Sequence, residues 1–142
     1  MNNVDLPSLL FTFDGRINRA KYWLAVVLYF VVLVIAAGVM FALPGMIGII
    51  LMGIIYLAAL VSGIAVGIKR LHDCDKSGWW LLVFYVVPGL LSAAATSMDS
   101  SIVLNLASLA VSIWAIVQLG FLRGTIGANR FGPDPIPGTA TA

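Results

Sequence analysis

The chain has 142 residues, 61% of them hydrophobic and 10% charged, with a net charge of +2. A soluble domain carries about 25% charged residues, so this chain could not cover its surface with polar groups, and the apolar excess must face lipid. The small net charge and the scattered basic residues exclude a nucleic-acid face, the lone Cys74 excludes an intramolecular disulfide, and the absence of glutamate argues against exposed helices laced with Glu–Lys pairs.

Residues 1–21 form a polar lead with a short aromatic patch at Leu9, Leu10, Phe11 and Phe13. In the DGRINRAKYW run, residues 14–23, Arg16 and Arg19 stand three apart. If the run is helical, Phe13, Arg16 and Ala20 share one side, and the helix lies along the membrane interface. The alternative is a plain basic flank beside a first span. The apolar run that follows exceeds the ~7–15 residues of a signal-peptide core, so it reads as a retained span.

Residues 22–43 are uncharged, and at 1.5 Å per residue they reach roughly 33 Å, enough for the hydrocarbon core. Pro44-Gly45 signals a turn, and residues 47–68 form a second uncharged span. The short connection predicts an antiparallel hairpin. Ala59, Gly63 and Gly67 recur at four-residue spacing, a stripe over which helix backbones approach closely. A polar loop, 69–78, follows, with Trp79-Trp80 opening a third span over 79–95. Pro88-Gly89 inside that span predicts a kink or break. After a small polar turn around Asp99, the fourth span covers 101–122, with Asn105, Ser108, Ser112 and Gln118 as its polar side chains. The tail, 123–142, is too rich in glycine and proline to continue the helix, and PIPGTATA at its end reads as disordered.

All eight basic residues fall on one side of this four-span arrangement: Arg16, Arg19 and Lys21, then Lys69, Arg70 and Lys76, then Arg123 and Arg130. Only Asp99 falls on the other side. The positive-inside rule makes the basic side cytoplasmic, with both termini inside. The expected fold is therefore an all-α membrane protein of four transmembrane helices in two antiparallel hairpins.

The three polar segments meet at the cytoplasmic ends of the helices, so any site belongs there. Arg16, Arg19, Arg70, His72, Asp73 and Asn129 are the candidate binding residues. One reading is a charge network, with Asp73 or Asp75 pairing with Arg16, Arg19 or Arg70. Another is an anion site in which the three arginines grip a lipid phosphate or another phosphorylated ligand. A metal held by His72, Cys74, Asp73 and Asp75 would need two carboxylates to complete it, and His72-Asp73 as a catalytic pair lacks a companion nucleophile. No catalytic residue, metal or cofactor is assigned. Tyr22, Trp23, Trp79 and Trp80 fit an interfacial aromatic belt. The glycines of GTIGANRFG suit either a backbone anion nest or a helix cap and a turn packed on the loop. No charged side chain lies inside a span, which disfavours coupled transport.

Three motifs line up across the chain: F-x-F-x-G-R-x-x-R-x-x-Y-W at 11–23, K-R-L-H-D-x-x-x-S-G-W at 69–79 and G-x-x-G-x-N-R-F-G-P-D-P at 124–135. Together they resemble the bacterial membrane-protein family called domain of unknown function 805, over about residues 8–135. The resemblance implies a four-helix inner-membrane protein and carries no catalytic residue. It singles out Gly15, Arg16, Arg19, Trp23, Arg70, Leu71, His72, Asp73, Gly78, Trp79, Gly127, Asn129 and Gly132. Gly15, Trp23, Gly63, Gly67, Gly78, Trp79, Gly127 and Gly132 are read as structural. The expected function is a non-enzymatic binding module in the lipid bilayer, whose partners are an anionic headgroup, a small anion, a second copy or another membrane protein. A membrane-embedded enzyme acting on a lipid or phosphorylated substrate, and a subunit of an oligomeric transporter, are the alternatives.

Overall fold

The computed structural model describes residues 5–43, 45–99 and 101–136. Pro44, Ser100 and most of the expected disordered end lie outside these residues. A short helix comes first, α1, Leu6–Phe11. Four long helices follow: α2, Arg19–Ala42; α3, Met46–Asp73; α4, Trp80–Ser97; and α5, Ile102–Ile116, which continues into a π-helical turn, Val117–Phe121. All four are long and apolar enough to cross a membrane. Only 11–22% of each apolar stretch is buried inside the protein, so most of each faces lipid. This is the all-α, four-span architecture to which the composition points.

Residues 12–18 are not helical, so Arg16 shares no helix face with Phe13 and Ala20. Gly15 turns the chain at φ +86°, and Asn18 caps α2 by accepting the Lys21 amide on Oδ1 at 3.0 Å. α3 has 28 residues, about 42 Å, against a hydrocarbon core of ~30 Å. Its last residues, 69–73, therefore stand beyond the apolar stretch. The sequence reading gives these residues to a loop, but no glycine or proline interrupts them and the helix continues. A Schellman motif ends it: Lys76 N donates to Leu71 O at 2.9 Å and Asp75 N to His72 O at 3.1 Å, with Asp75 at φ +54°. α4 runs unbroken through Pro88, whose carbonyl accepts from Ser108 Oγ on α5 at 2.9 Å. A neighbouring helix thus supports the backbone where a break is expected.

Paired residues along α2 and α3 run in opposite order. Ile17 N, just before α2, donates to Lys69 O, Tyr29 Oη bonds to Ser62 Oγ, and a Cβ on Gly48 would overlap the Leu43 carbonyl. In the other pair, Lys76 meets Gln118, Trp80 packs edge-on against Trp114, and Ser92 bonds to Ser108. The two pairs join around Leu71, Leu81, Phe84, Ala115 and Leu119. A second cluster, Leu9, Ile17, Ala25 and Val66, seats α1 on α2 and α3. Of the two glycines in the small-residue stripe, Gly67 is the close approach: a Cβ there would stand 2.8 Å from the Leu81 side chain. At Gly63 it would meet nothing within 4 Å among the described residues.

Candidate functional site

The polar groups concentrate at one end of the bundle, and helix geometry explains why. The last four carbonyls of an α-helix have no partner within it, and the C-terminus carries a partial negative charge. At the end of α5 and its π turn, four consecutive carbonyls each receive a side-chain donor. Arg70 Nε donates to Leu119 O at 2.7 Å, Trp23 Nε1 to Gly120 O at 3.0 Å, Arg19 to Phe121 O at 3.1 Å, and the Arg70 Nη2 atom to Leu122 O. Trp23 comes close enough because position 120 is glycine: a Cβ there would stand 2.9 Å from its ring.

Arg70 has no exposed surface, and its remaining nitrogen, Nη1, pairs with Asp73 Oδ2 one turn along α3. The other Asp73 oxygen accepts from both Arg16 Nε at 3.2 Å and Nη2 at 3.1 Å. Arg16 then reaches the tail, donating to Thr125 O at 2.6 Å, Gly127 O at 2.7 Å and Gly132 O at 3.2 Å. The tail returns to α3. Thr125 N and Oγ1 donate to Asp73 O at 2.7 and 2.9 Å, and Asn129 Nδ2 donates to His72 O at 2.8 Å. The glycines allow this path. Gly127 and Gly132 take φ of +78° and +136°, and a Cβ at Gly124 would overlap the Asp73 carboxylate.

His72 stacks on Phe131, with ring centroids 3.8 Å apart, and Nδ1 lies 3.2 Å from Gly15 O. A carbonyl only accepts, so Nδ1 carries the proton and neutral His72 is the Nδ1–H tautomer. Burial pushes its pKa down, against the Gly15 carbonyl and Asp14, which favour protonation, while Arg130 adds to the lowering. Burial also pushes the Asp73 carboxyl above its ordinary range, against the pull of Arg70 and then Arg16. Lys69, 3% exposed, closes α1 by donating to Ser8 O and Leu9 O at 2.7 Å each. Arg130 pairs with Asp75 in the open, where an ion pair contributes ~0–1 kcal/mol.

The structure thus brings Arg16, Arg70, His72, Asp73 and Asn129 into one cluster with Gly15, Gly127 and Gly132, and sets Arg19 and Trp23 beside it on the π turn. Gly78 packs against Ile68, while Trp79 is 77% exposed and outside the cluster. Lys69, Gly120, Gly124 and Thr125 hold the cluster together without appearing among the sequence candidates. Their signal was present: Gly120 and Gly124 flank the end of a span, where carbonyls need partners. Among the described residues no buried side-chain nitrogen or oxygen lacks a partner, and no three His, Cys, Asp or Glu stand close enough to hold a metal. The arrangement ties three chain segments together, with two arginines sharing one carboxylate and the carbonyls around it.

No solved structure matches the chain. Several proteins of Escherichia coli strain K12 are similar to it. Uncharacterized protein YiiR is 30% identical over 130 residues, covering 88% of this chain and 86% of YiiR. Inner membrane protein YhaI is 29% identical over 127 residues, 87% of this chain and 85% of the relative. Inner membrane protein YhaH is 30% identical over 130 residues, 87% of this chain and 86% of the relative. The profile of the family described as Protein of unknown function (DUF805) matches residues 10–133, which takes in the whole polar cluster as well as the four spans. The chain belongs to that family and is a multi-pass inner-membrane protein.

Proposed function

We propose that the protein is a non-enzymatic membrane module that holds a preformed polar face at the cytoplasmic surface and offers it to an anionic headgroup, a small anion or a protein partner. The observation that carries this reading is the pairing of both Arg16 and Arg70 with Asp73, which builds the face before any ligand arrives. In this reading the buried arginines shape the face, and contact with a ligand falls to the cations around it. Among the described residues, the side chains of Lys21 and Arg123 have no hydrogen bond or ion pair. Each such cation near the surface attracts anionic groups by about 1 kcal/mol.

Native mass spectrometry of the detergent-purified protein at low and high ammonium acetate tests the reading. A discrete adduct, either of headgroup mass and weakened by salt or of a co-purified protein, is the expected result. A bare spectrum at both salt concentrations overturns it.

A further inference from the structure

Beside the cluster, α1 and residues 12–18 enclose a cavity of about 230 Å³. This is smaller than the ~300–1,000 Å³ pockets that enclose drug-sized ligands, and suits a headgroup fragment. Two cations, Lys21 and Lys69, and two carboxylates, Asp5 and Asp14, line it. Arg16 lines it too, but is committed to Asp73. None of the other four pairs with another. Lys69 is buried and, among the described residues, bonds only to the carbonyls of Ser8 and Leu9 and, at 3.3 Å, to Thr12 Oγ1. Among the described residues, the side chains of Lys21, Asp5 and Asp14 have no hydrogen bond or ion pair.

A buried ammonium without a counter-ion is costly. Burial holds the Lys69 pKa below its ordinary value, and the Lys21 charge adds to the lowering. The two ammonium groups together ask for an anion. The two carboxylates on the same cavity oppose one of net negative charge. A ligand carrying both signs satisfies both demands. The surroundings suggest where it comes from. On the far side of α1, an apolar groove of about 250 Å³, lined by Leu10, Phe11, Val32 and Ile55 among others, opens between α2 and α3. The same short helix therefore borders a polar cavity and an apolar groove, the two environments that a phospholipid needs.

We propose that this cavity binds a phosphate–ammonium headgroup of the phosphoethanolamine type, its phosphate toward Lys21 and Lys69 and its ammonium toward Asp5 and Asp14. The assignment rests on the reading of the polar face as a headgroup site, and names the headgroup. Phosphatidylethanolamine and free phosphoethanolamine share the chemistry. Phosphatidylglycerol lacks the ammonium, and the quaternary ammonium of phosphatidylcholine has no hydrogen to donate.

The full chain, delipidated in detergent, is offered each of the three lipids with matched acyl chains, or free phosphoethanolamine, and read by native mass spectrometry. Phosphatidylethanolamine is expected to be retained above the other two. Lys21→Gln lowers that adduct about fivefold, and Asp14→Asn removes the preference over phosphatidylglycerol. Both side chains lack structural bonds, so unchanged melting temperatures check the fold, and Asp5→Asn serves as a second carboxylate variant. Equal retention of all three lipids, with no binding of free phosphoethanolamine, overturns the assignment. Retained lipid that ignores every variant overturns the cavity and leaves the wider reading standing. No adduct from any lipid or from phosphoethanolamine overturns the assignment and the headgroup reading on which it rests. Free phosphoethanolamine binding that is lost in Lys21→Gln, without lipid preference, supports the cavity and makes its ligand soluble.

Discussion

Arg70 does at one residue what the sequence divides among several readings. Its position beside a histidine and two aspartates suggests a ligand grip or an ion pair. The structure gives it an ion pair with Asp73 and two helix-end carbonyls, so that each guanidinium nitrogen has a partner. The carboxylate partner was legible because Asp73 lies one turn away on the same helix. The carbonyls of Leu119 and Leu122 were not, since backbone acceptors leave no mark in composition. Arg70→Ala removes all three bonds and leaves a buried carboxylate and two carbonyls short of a donor, so it should cost about 3–5 kcal/mol. Arg70→Lys should recover little, because one ammonium cannot span the fork. Thermal unfolding in detergent measures both, and a wild-type melting temperature in Arg70→Ala would rule out the capping role. His72 gives a pH signature. Its folded pKa lies below the ordinary 6.5, so between the two values the unfolded chain binds more protons and stability falls as pH drops. The melting temperature should decline as pH is lowered through 6.5 and below, and His72→Gln should flatten that decline. An equal slope in the two proteins would assign the effect to another group.

At the scale of elements, the long helices follow from uncharged apolar runs, and those were legible. Helix ends were less so. The run 69–78 is polar, and polarity alone reads as loop, yet nothing in 69–73 breaks a helix and the tail supplies donors for its final carbonyls. Tertiary caps of this kind come from residues some fifty positions away and escape a local reading. The glycine stripe fails for the opposite reason: spacing is visible in sequence, but which face meets a neighbour is not. Three substitutions separate these cases. Gly124→Ala sets a methyl against the Asp73 carboxylate, which Arg16 and Arg70 hold in place, so it should cost about 1–3 kcal/mol. Gly67→Ala presses on the end of the Leu81 side chain, which can turn aside, and should cost less. Gly63→Ala meets open space and should gain up to ~1 kcal/mol from helix propensity. Unfolding midpoints give the order, and a loss at Gly63 as large as at Gly124 would mean that the face carrying Gly63 is covered in the membrane.

For the whole molecule, the polar end gathers the C-termini of α1, α3 and α5. Each full-length helix end carries roughly −0.5 of a charge, and Asp73 adds a full one. Lys69, Arg70, Arg19 and Arg16 meet that charge directly. The basic residues that the positive-inside rule counts are thus in part the caps of the fold. Their number was legible in the chain because a charge can be counted residue by residue. Their assignments were not, because each joins segments about 50 to 110 positions apart. The same dual use bears on the expected orientation. Inverting the protein would carry eight basic residues across the bilayer while most of them are still needed at the carbonyls, so the arrangement cannot be rescued by redistributing charge. A reporter fused after Ala142 should therefore be active only as a cytoplasmic enzyme, and one inserted at Asp99 only as an exported one. Asp99 suits an insertion: it lies between α4 and α5, where the chain turns at φ +50°. The reverse pattern, Asp99 cytoplasmic and Ala142 exported, would mean that the basic residues act only as caps and do not set the side. Both cytoplasmic would mean that one of the four apolar helices does not cross.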